Sequence, residues 1–229
     1  KSDLIAFMND REVNPEKYIA PKNWYKYGGE IVRPYKIRIQ PPCAKDEKKL
    51  RRYYESRLAA LPDVTVVKVE SSRYAMALMS ANLFGNPARQ MTMIGVTGTS
   101  GKTTSTYLIK SILEQKAGAR VGLIGTIQNM IGSEVLHTER TTPESFELQK
   151  LLRQMSDAGC THVVMEVSSH ALVLDRVYGI RFAVGIFTNL SQDHLDFHHT
   201  MEEYCDAKAI LFDRCDVGIY NADDPWHRR

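Results

Sequence analysis

The sequence predicts a doubly wound α/β domain with a mostly parallel sheet and a phosphate-binding loop, preceded by a small α+β segment. Two observations carry this. From Met91 onward, short apolar runs alternate with helix-length amphipathic segments, the signature of crossover units that build a parallel sheet. One run, Met93-Ile94-Gly95-Val96, leads directly into Thr97-Gly98-Thr99-Ser100-Gly101-Lys102-Thr103-Thr104 and then into a helical pattern. That strand, loop and helix order is what a phosphate-gripping corner requires.

Strands are expected at about 92–97, 120–125, 162–167, 182–188 and 216–220, with helices near 102–116, 144–158 and 200–213. The middle helix has Pro143 at its first turn and Glu144 and Glu147 near its positive end. Upstream, Val64 to Val69 is a β-branched run, and Ser71 or Ser72 caps a helix through Met76, Leu78 and Met79 that ends at Gly85. A further helix runs from Asp46 to about Leu61, with Leu50, Tyr54 and Leu58 on one stripe, and Pro62 stops it. From Lys1 to Cys43 the pattern is irregular, broken by prolines and Gly28-Gly29, and only Tyr35 to Gln40 alternates like a strand. The organisation expected is therefore a segment at 1–62 and an α/β domain at 63–229, with 63–90 as its lead-in.

Composition narrows the class. At 43% hydrophobic and 25% charged residues the chain is an ordinary globular one. No stretch approaches the roughly 20 apolar residues of a membrane span, and the charged start, Lys1 to Arg11, lacks the apolar core of a secretory signal, so a cytoplasmic location and no membrane partner are expected. Cys43, Cys160, Cys205 and Cys215 contain no C-x-x-C pair and read as packing thiols. The net +3 conceals +6 in residues 1–62 and −3 in the remainder. A basic segment rich in tyrosine and tryptophan suits phosphate neutralisation and base stacking. Amphipathic side chains on a small solvated unit account for it more simply, and nucleic acid is not an expected partner.

Three clusters carry chemistry. In the loop, Gly98 and Gly101 permit backbone geometry that turns amides toward an anion, Lys102 reaches outer phosphates and the Thr103 hydroxyl suits Mg2+. The strict G-x-x-x-x-G-K-[ST] pattern places glycine where this chain has Val96, so the loop is a close variant. Val163-Val164-Met165-Glu166 puts a carboxylate at a strand end, where phosphate-loop enzymes hold their metal. Thr188-Asn189-Leu190-Ser191-Gln192-Asp193-His194-Leu195-Asp196-Phe197-His198-His199 is the densest polar run, and its two acids and three histidines suggest a cation: zinc suits histidines, but for Mg2+ with nucleotide phosphates a single imidazole or carboxylate suffices. The alternatives are a cap or solvated edge for Glu166 and a polar loop for the histidine run. Ser168-Ser169-His170 invites a hydrolase reading, but no G-x-S-x-G elbow surrounds it.

Together the loop, Thr141-Thr142-Pro143-Glu144, the MEVSSHAL run at 165–172, TNLSQDHLDFH at 188–198, YCDAKAILF at 204–212 and NADDP at 221–225 resemble the central domain of the Mur ligases. These are ATP-dependent enzymes that join amino acids to UDP-muramyl peptides, and the likeness is strongest to the branch that adds the third residue. The resemblance implies that Thr97 to Thr104, with Lys102 and Thr103 foremost, hold the phosphates of ATP, that Asn189 and Asn221 belong to the ATP site, and that Thr103 and Glu166 hold Mg2+. It implies a second magnesium near His194 and a carbamate, formed with CO2, on Lys208. It assigns Thr141, Thr142, Ser168 and Arg176 to the UDP-muramyl substrate, although Leu174 stands where some relatives have glutamine. A UDP-muramyl peptide and an amino acid are the implied partners, and a monomer is expected.

Two parts of the family pattern are not found. Nothing before about Leu61 is recognisable as the family's uridine-binding domain, and the third domain, which follows the NADDP segment in full ligases, has no counterpart before Arg229. Little turnover is therefore expected from this polypeptide alone. Two other readings compete: a folylpolyglutamate synthetase-like ligase, whose loop typically continues Gly-Lys-Gly-Ser where this chain has Gly101-Lys102-Thr103-Thr104, and a non-catalytic nucleotide-binding or regulatory module that reuses a ligase core.

Overall fold

A computed structural model describes residues 69–228 and the backbone of two short strands, β1 (Tyr25–Tyr27) and β2 (Glu30–Val32). The helix expected at 46–61, the strand at 64–69 save its last residue and the alternation at 35–40 lie outside the described residues. By its contacts the chain divides into two compact units, Lys1–Ser72 and Arg73–Arg229. In the first, β1 and β2 pair antiparallel with Tyr27 opposite Glu30. Gly28-Gly29 was read only as a break, yet two glycines between short runs are a hairpin signal.

Helix α1 (Ser72–Leu83), all but its first residue in the second unit, ends before Gly85 at φ +73°, as expected. That unit contains a seven-stranded sheet ordered β6-β5-β4-β7-β3-β8-β9. Five strands run parallel: β3 (Thr92–Thr97), β4 (Val121–Ile124), β7 (His162–Glu166), β8 (Phe182–Phe187) and β9 (Cys215–Tyr220). These match the expected strands to within a residue or two. Their central members read as continuous apolar runs because helices cover both faces. The antiparallel hairpin β5 (Asn129–Ile131) and β6 (Glu134–Leu136) was not anticipated. Each arm is only three residues long, too short to show a period, and Gly132 makes the turn at φ +60°.

Helices α2 (Lys102–Ala117), α3 (Ser145–Asp157) and α6 (Met201–Asp213) are the crossovers expected from sequence. Short helices α4 (Ser169–Val173) and α5 (Leu195–His198) were not foreseen. Alternate side chains of the strands feed two cores. Met93, Val163 and Met165 join Leu148, Leu152 and Met155 of α3 and Leu211 of α6 on one face, whereas Ile94, Val96 and Val164 pack toward Ile109 and Leu113 of α2 on the other. The three described cysteines, Cys160, Cys205 and Cys215, are free and buried, as packing thiols should be. None of the described helices is long and apolar enough to cross a membrane.

The strand order also places the site. From β3 the chain crosses over β7 to β4, returns to β7, and then passes to β8 on the far side of β3. The direction of winding therefore reverses at β3, and ligands of such sheets gather at the carboxyl ends of strands beside that reversal.

Candidate nucleotide and substrate site

Thr97 ends β3, and Gly98 turns the chain at φ +138°. Gly101 follows at φ +83° as the residue capping α2. Val96, the departure from the strict loop pattern, lies fully buried inside β3 between Glu166 and Ile186, where a β-branched side chain is at home. The loop is fastened from the β8 side. Asn189 Oδ1 accepts from the Ser100 amide at 3.0 Å while its Nδ2 donates to Ser100 O at 3.0 Å, and Thr188 Oγ1 donates to Ser100 O at 2.7 Å. Thr99 Oγ1 accepts from the Ser191 amide at 3.0 Å. The segment beginning at Thr188 is thus the frame that shapes the phosphate loop.

Two lysines converge on one carbonyl. Lys102 Nζ donates to Gly98 O and Thr99 O, each at 2.8 Å, and Lys208 Nζ reaches Gly98 O from α6 at 2.9 Å. Burial lowers the pKa of Lys102, with Glu166 and Asp193 opposing the shift. Lys208 is 2% exposed and lies 4.5 Å from the centre of the Tyr204 ring. Burial first, and the charge of Lys102 second, push its ammonium down to about 7.

Opposite the lysines, at the end of β7, the Glu166 side chain is 1% exposed and has no salt bridge among the described residues. Thr103 Oγ1 donates to its Oε1 at 2.9 Å, the Thr126 amide donates to the same oxygen at 2.9 Å, and Thr126 Oγ1 donates to Oε2 at 3.0 Å. A buried carboxylate without a cationic partner fits a cation. Because Thr103 spends its hydrogen on Glu166, its lone pairs remain for a metal. Beside Thr103 a shallow, mainly apolar hollow of about 460 Å³ is lined by Thr103, Thr104, Tyr107, Leu108 and Ile127.

The four residues assigned to substrate come together behind Glu166. Thr142, 1% exposed, donates to Glu166 O at 2.9 Å and accepts from the Ser168 amide at 3.1 Å. Ser168 Oγ caps α4 by accepting from the Ala171 amide at 3.2 Å. Arg176 pairs with Glu144 at 2.8 Å and donates to Thr142 O at 3.3 Å. Thr141 Oγ1 lies 3.0 Å from Thr126 Oγ1. Asn221 follows β9, accepting from the Asp223 amide at 3.0 Å, and neighbouring Asp224 accepts from the Leu190 amide at 2.8 Å, so NADDP braces the segment that shapes the loop.

The histidine run divides into an exposed and a buried part. His194 is exposed and left-handed, at φ +51°, with its Nε2 3.5 Å from Asp193. His198 is instead 4% exposed and meets Ser169 Oγ at 2.9 Å. Among the described residues no three His, Cys, Asp or Glu side chains are placed to hold a metal by themselves. His198 packs among rings, 5.0 Å from Tyr204 and 5.5 Å from His170, whereas a magnesium ion near His194 would need only that one imidazole beside nucleotide oxygens and water. The Ser–His contact is equally unsuited to nucleophilic catalysis, since both partners are buried and Ser169 meets His198 rather than its sequence neighbour His170. Burial, reinforced by His170, lowers the His198 ring to about 4. A histidine kept neutral in the fold charges more readily when unfolded, so stability is lost as pH falls from about 6.5 to about 4. The melting temperature should drop by about 5 °C over that interval, and His198→Asn should flatten the drop. Equal slopes by calorimetry would contradict this.

Sequence reasoning missed Thr126, and it gave Thr188 and Asp224, though both lie in segments it singled out, no role of their own. Thr126 and Thr188 each follow the end of a parallel strand, the position where ligands gather, and that placement was the available signal.

A glycine-bent corner between β3 and α2, facing a strand-end carboxylate at the reversal of a doubly wound sheet, defines a phosphate-loop α/β domain. The profile of the Mur ligase middle domain matches residues 96–229. The chain belongs to the Mur ligase family. It is 53% identical over 226 residues, 99% of this chain and 43% of the other, to the UDP-N-acetylmuramoyl-L-alanyl-D-glutamate–2,6-diaminopimelate ligase of Clostridium botulinum, a match that extends into the segment at 1–62 where no family pattern is legible by eye. A solved structure of a ligase with the same name superimposes with a TM-score of 0.62 at 28% identity, covering 78% of this chain and 39% of that one. A folylpolyglutamate synthase from Mycobacterium tuberculosis gives 0.56 at 17% identity, over 67% of this chain and 42% of that one, a likeness of fold alone. The chain thus spans about two fifths of the length of these proteins.

Proposed function

We propose that this chain is the nucleotide-binding core of an ATP-dependent amide ligase that extends UDP-N-acetylmuramoyl-L-alanyl-D-glutamate by one amino acid in the cytoplasm. The relatives' name points to 2,6-diaminopimelate as that amino acid. The observation that carries the reading is the hydrogen bond between Thr103, on the phosphate loop's helix, and the buried carboxylate of Glu166. A metal-bound triphosphate needs that pairing, and neither a loop turn nor a helix cap does.

In the reaction the γ-phosphoryl of ATP passes to the terminal carboxylate of the muramyl dipeptide. The amine then attacks the acyl phosphate, forming the amide and releasing phosphate and a proton. Magnesium, when bound, neutralises charge on the phosphoryl oxygens. Lys102 would do the same once it leaves the loop carbonyls for a phosphate. Amides of the loop after Gly98 orient the phosphate tail, and the start of α2 adds partial positive charge. Thr103 and Glu166 would hold the metal, and Thr141 and Arg176 would steady the muramyl peptide. None of these residues bonds covalently to substrate, so positioning and fixed charge supply the acceleration.

Calorimetry of the 229-residue chain with a nonhydrolysable ATP analogue tests this. Association is expected in millimolar magnesium and should weaken at least tenfold in EDTA. A folded chain that takes up no nucleotide, or that binds a folate in preference to the UDP-muramyl dipeptide, would refute the reading.

A further inference from the structure

The geometry points to Thr126 as a positioning residue for Glu166, and to a relay of hydroxyls, Thr141 to Thr126 to Glu166, that links the muramyl-peptide side of the site to its magnesium side. This rests on the reading under Proposed function and deepens it.

Thr126 follows β4 and touches the carboxylate twice, through its amide to Oε1 at 2.9 Å and its hydroxyl to Oε2 at 3.0 Å. The turn is built against that carboxylate: a Cβ on Gly125 would sit 2.5 Å from Glu166 Oε1. Thr103 occupies Oε1 as well, at 2.9 Å, so Thr126 supplies the described hydrogen bond to Oε2 and fixes the plane of the carboxyl group. Partners of this kind, which hold the group that holds a metal, set metal affinity without touching the ion.

Hydrogen counting gives the relay its direction. A threonine hydroxyl has one hydrogen, and a carboxylate oxygen only accepts. Thr126 gives its hydrogen to Glu166, so in the 3.0 Å contact between Thr126 Oγ1 and Thr141 Oγ1 the donor is Thr141. A substrate anion that takes the Thr141 hydrogen must withdraw it from Thr126. Thr126 then keeps only Glu166 as its hydroxyl partner among these groups, and the strength of that bond changes. The two halves of the site are thereby coupled through one exposed side chain.

The test needs only magnesium and a nonhydrolysable ATP analogue, titrated into the full chain by calorimetry. Thr126→Val keeps shape and the backbone amide but lacks the hydroxyl. It should raise the dissociation constant of the magnesium nucleotide about tenfold and leave binding in EDTA unchanged. Thr126→Ser should restore the wild-type value. Thr141→Val, which alters no contact to Glu166, should weaken magnesium-nucleotide binding by roughly two- to fivefold, and the double variant should be no weaker than Thr126→Val alone. If Thr126→Val does not fold, Thr126→Ser and Thr141→Val decide. Wild-type magnesium affinity in Thr126→Val, or in Thr141→Val, overturns the relay, as do additive losses in the double variant. Failure of the wild-type chain to bind nucleotide overturns the parent reading and the relay with it.

Discussion

Gly98→Ala is expected to abolish magnesium-nucleotide binding, with at least a hundredfold rise in dissociation constant, while leaving the sheet folded. Gly98 sits at φ +138°, which an alanine adopts only under strain of about 1–3 kcal/mol. The added methyl would lie 2.0 Å from Thr188 Oγ1, with Asn189 O at 3.1 Å and Asn189 N at 3.2 Å. Thr188 cannot yield cheaply, because its hydroxyl is committed to Ser100 O at 2.7 Å and Thr97 O at 3.2 Å. Relief must therefore come from the loop, which displaces the carbonyl on which Lys102 and Lys208 converge. Gly101→Ala is the control. Gly101 is also left-handed, at φ +83°, but no atom lies within 4 Å of an added Cβ. It should lose only what the strain costs, about tenfold in affinity. Equal effects of the two substitutions by calorimetry would show that crowding against Thr188 is unimportant.

The contrast between these glycines bears on what a sequence discloses. The parallel strands were legible because burial on both faces makes them unbroken apolar runs, and β3 falls at the residues expected. The corner after β3 was legible because its glycines and lysine have defined tasks. The two hairpins were not, since arms of three residues carry no period and only their turn glycines mark them. Helices of five and four residues, α4 and α5, are likewise too short to form a stripe.

At the site, sequence brought out groups with strong intrinsic chemistry and missed those that act by placement. Glu166 was read correctly as a strand-end acid. Thr126 escaped because a threonine after a strand has no distinguishing pattern, and its partner is 40 residues away. The histidines at 194–199 divide in a way that spacing did not foretell: α5 turns His198 inward to Ser169, whereas His194 stays exposed with its ring 5.0 Å from that of His170. Spacing along the chain cannot report which side of a short helix is buried.

Lys208 carries the second large expectation, in which a carbamate forms on its side chain in bicarbonate buffer and vanishes in Lys208→Met. An ordinary surface lysine is almost wholly ammonium at neutral pH and does not react with CO2. Lys208 is 2% exposed, and burial together with Lys102 lowers it to about 7, so a large fraction is free amine. The amine nitrogen can bond to the carbon of CO2 and release a proton, converting a cation beside Gly98 O into an anion beside Lys102. That reversal removes the repulsion between the two lysines and leaves a carboxylate-like group beside the phosphate loop. With 13C-bicarbonate, the carbamate resonance should be strong at pH 8, fade as pH drops below about 7 and be absent from Lys208→Met. The same shift acts on stability. Between about 7 and the ordinary lysine value the unfolded chain holds a proton that the folded chain has lost, so stability rises with pH across that window. Wild type should gain about 5 °C more in melting temperature from pH 7 to pH 10 than Lys208→Met, measured without bicarbonate. Parallel melting curves would mean that Lys208 keeps its charge in the fold, and the carbamate would then have no free amine from which to form.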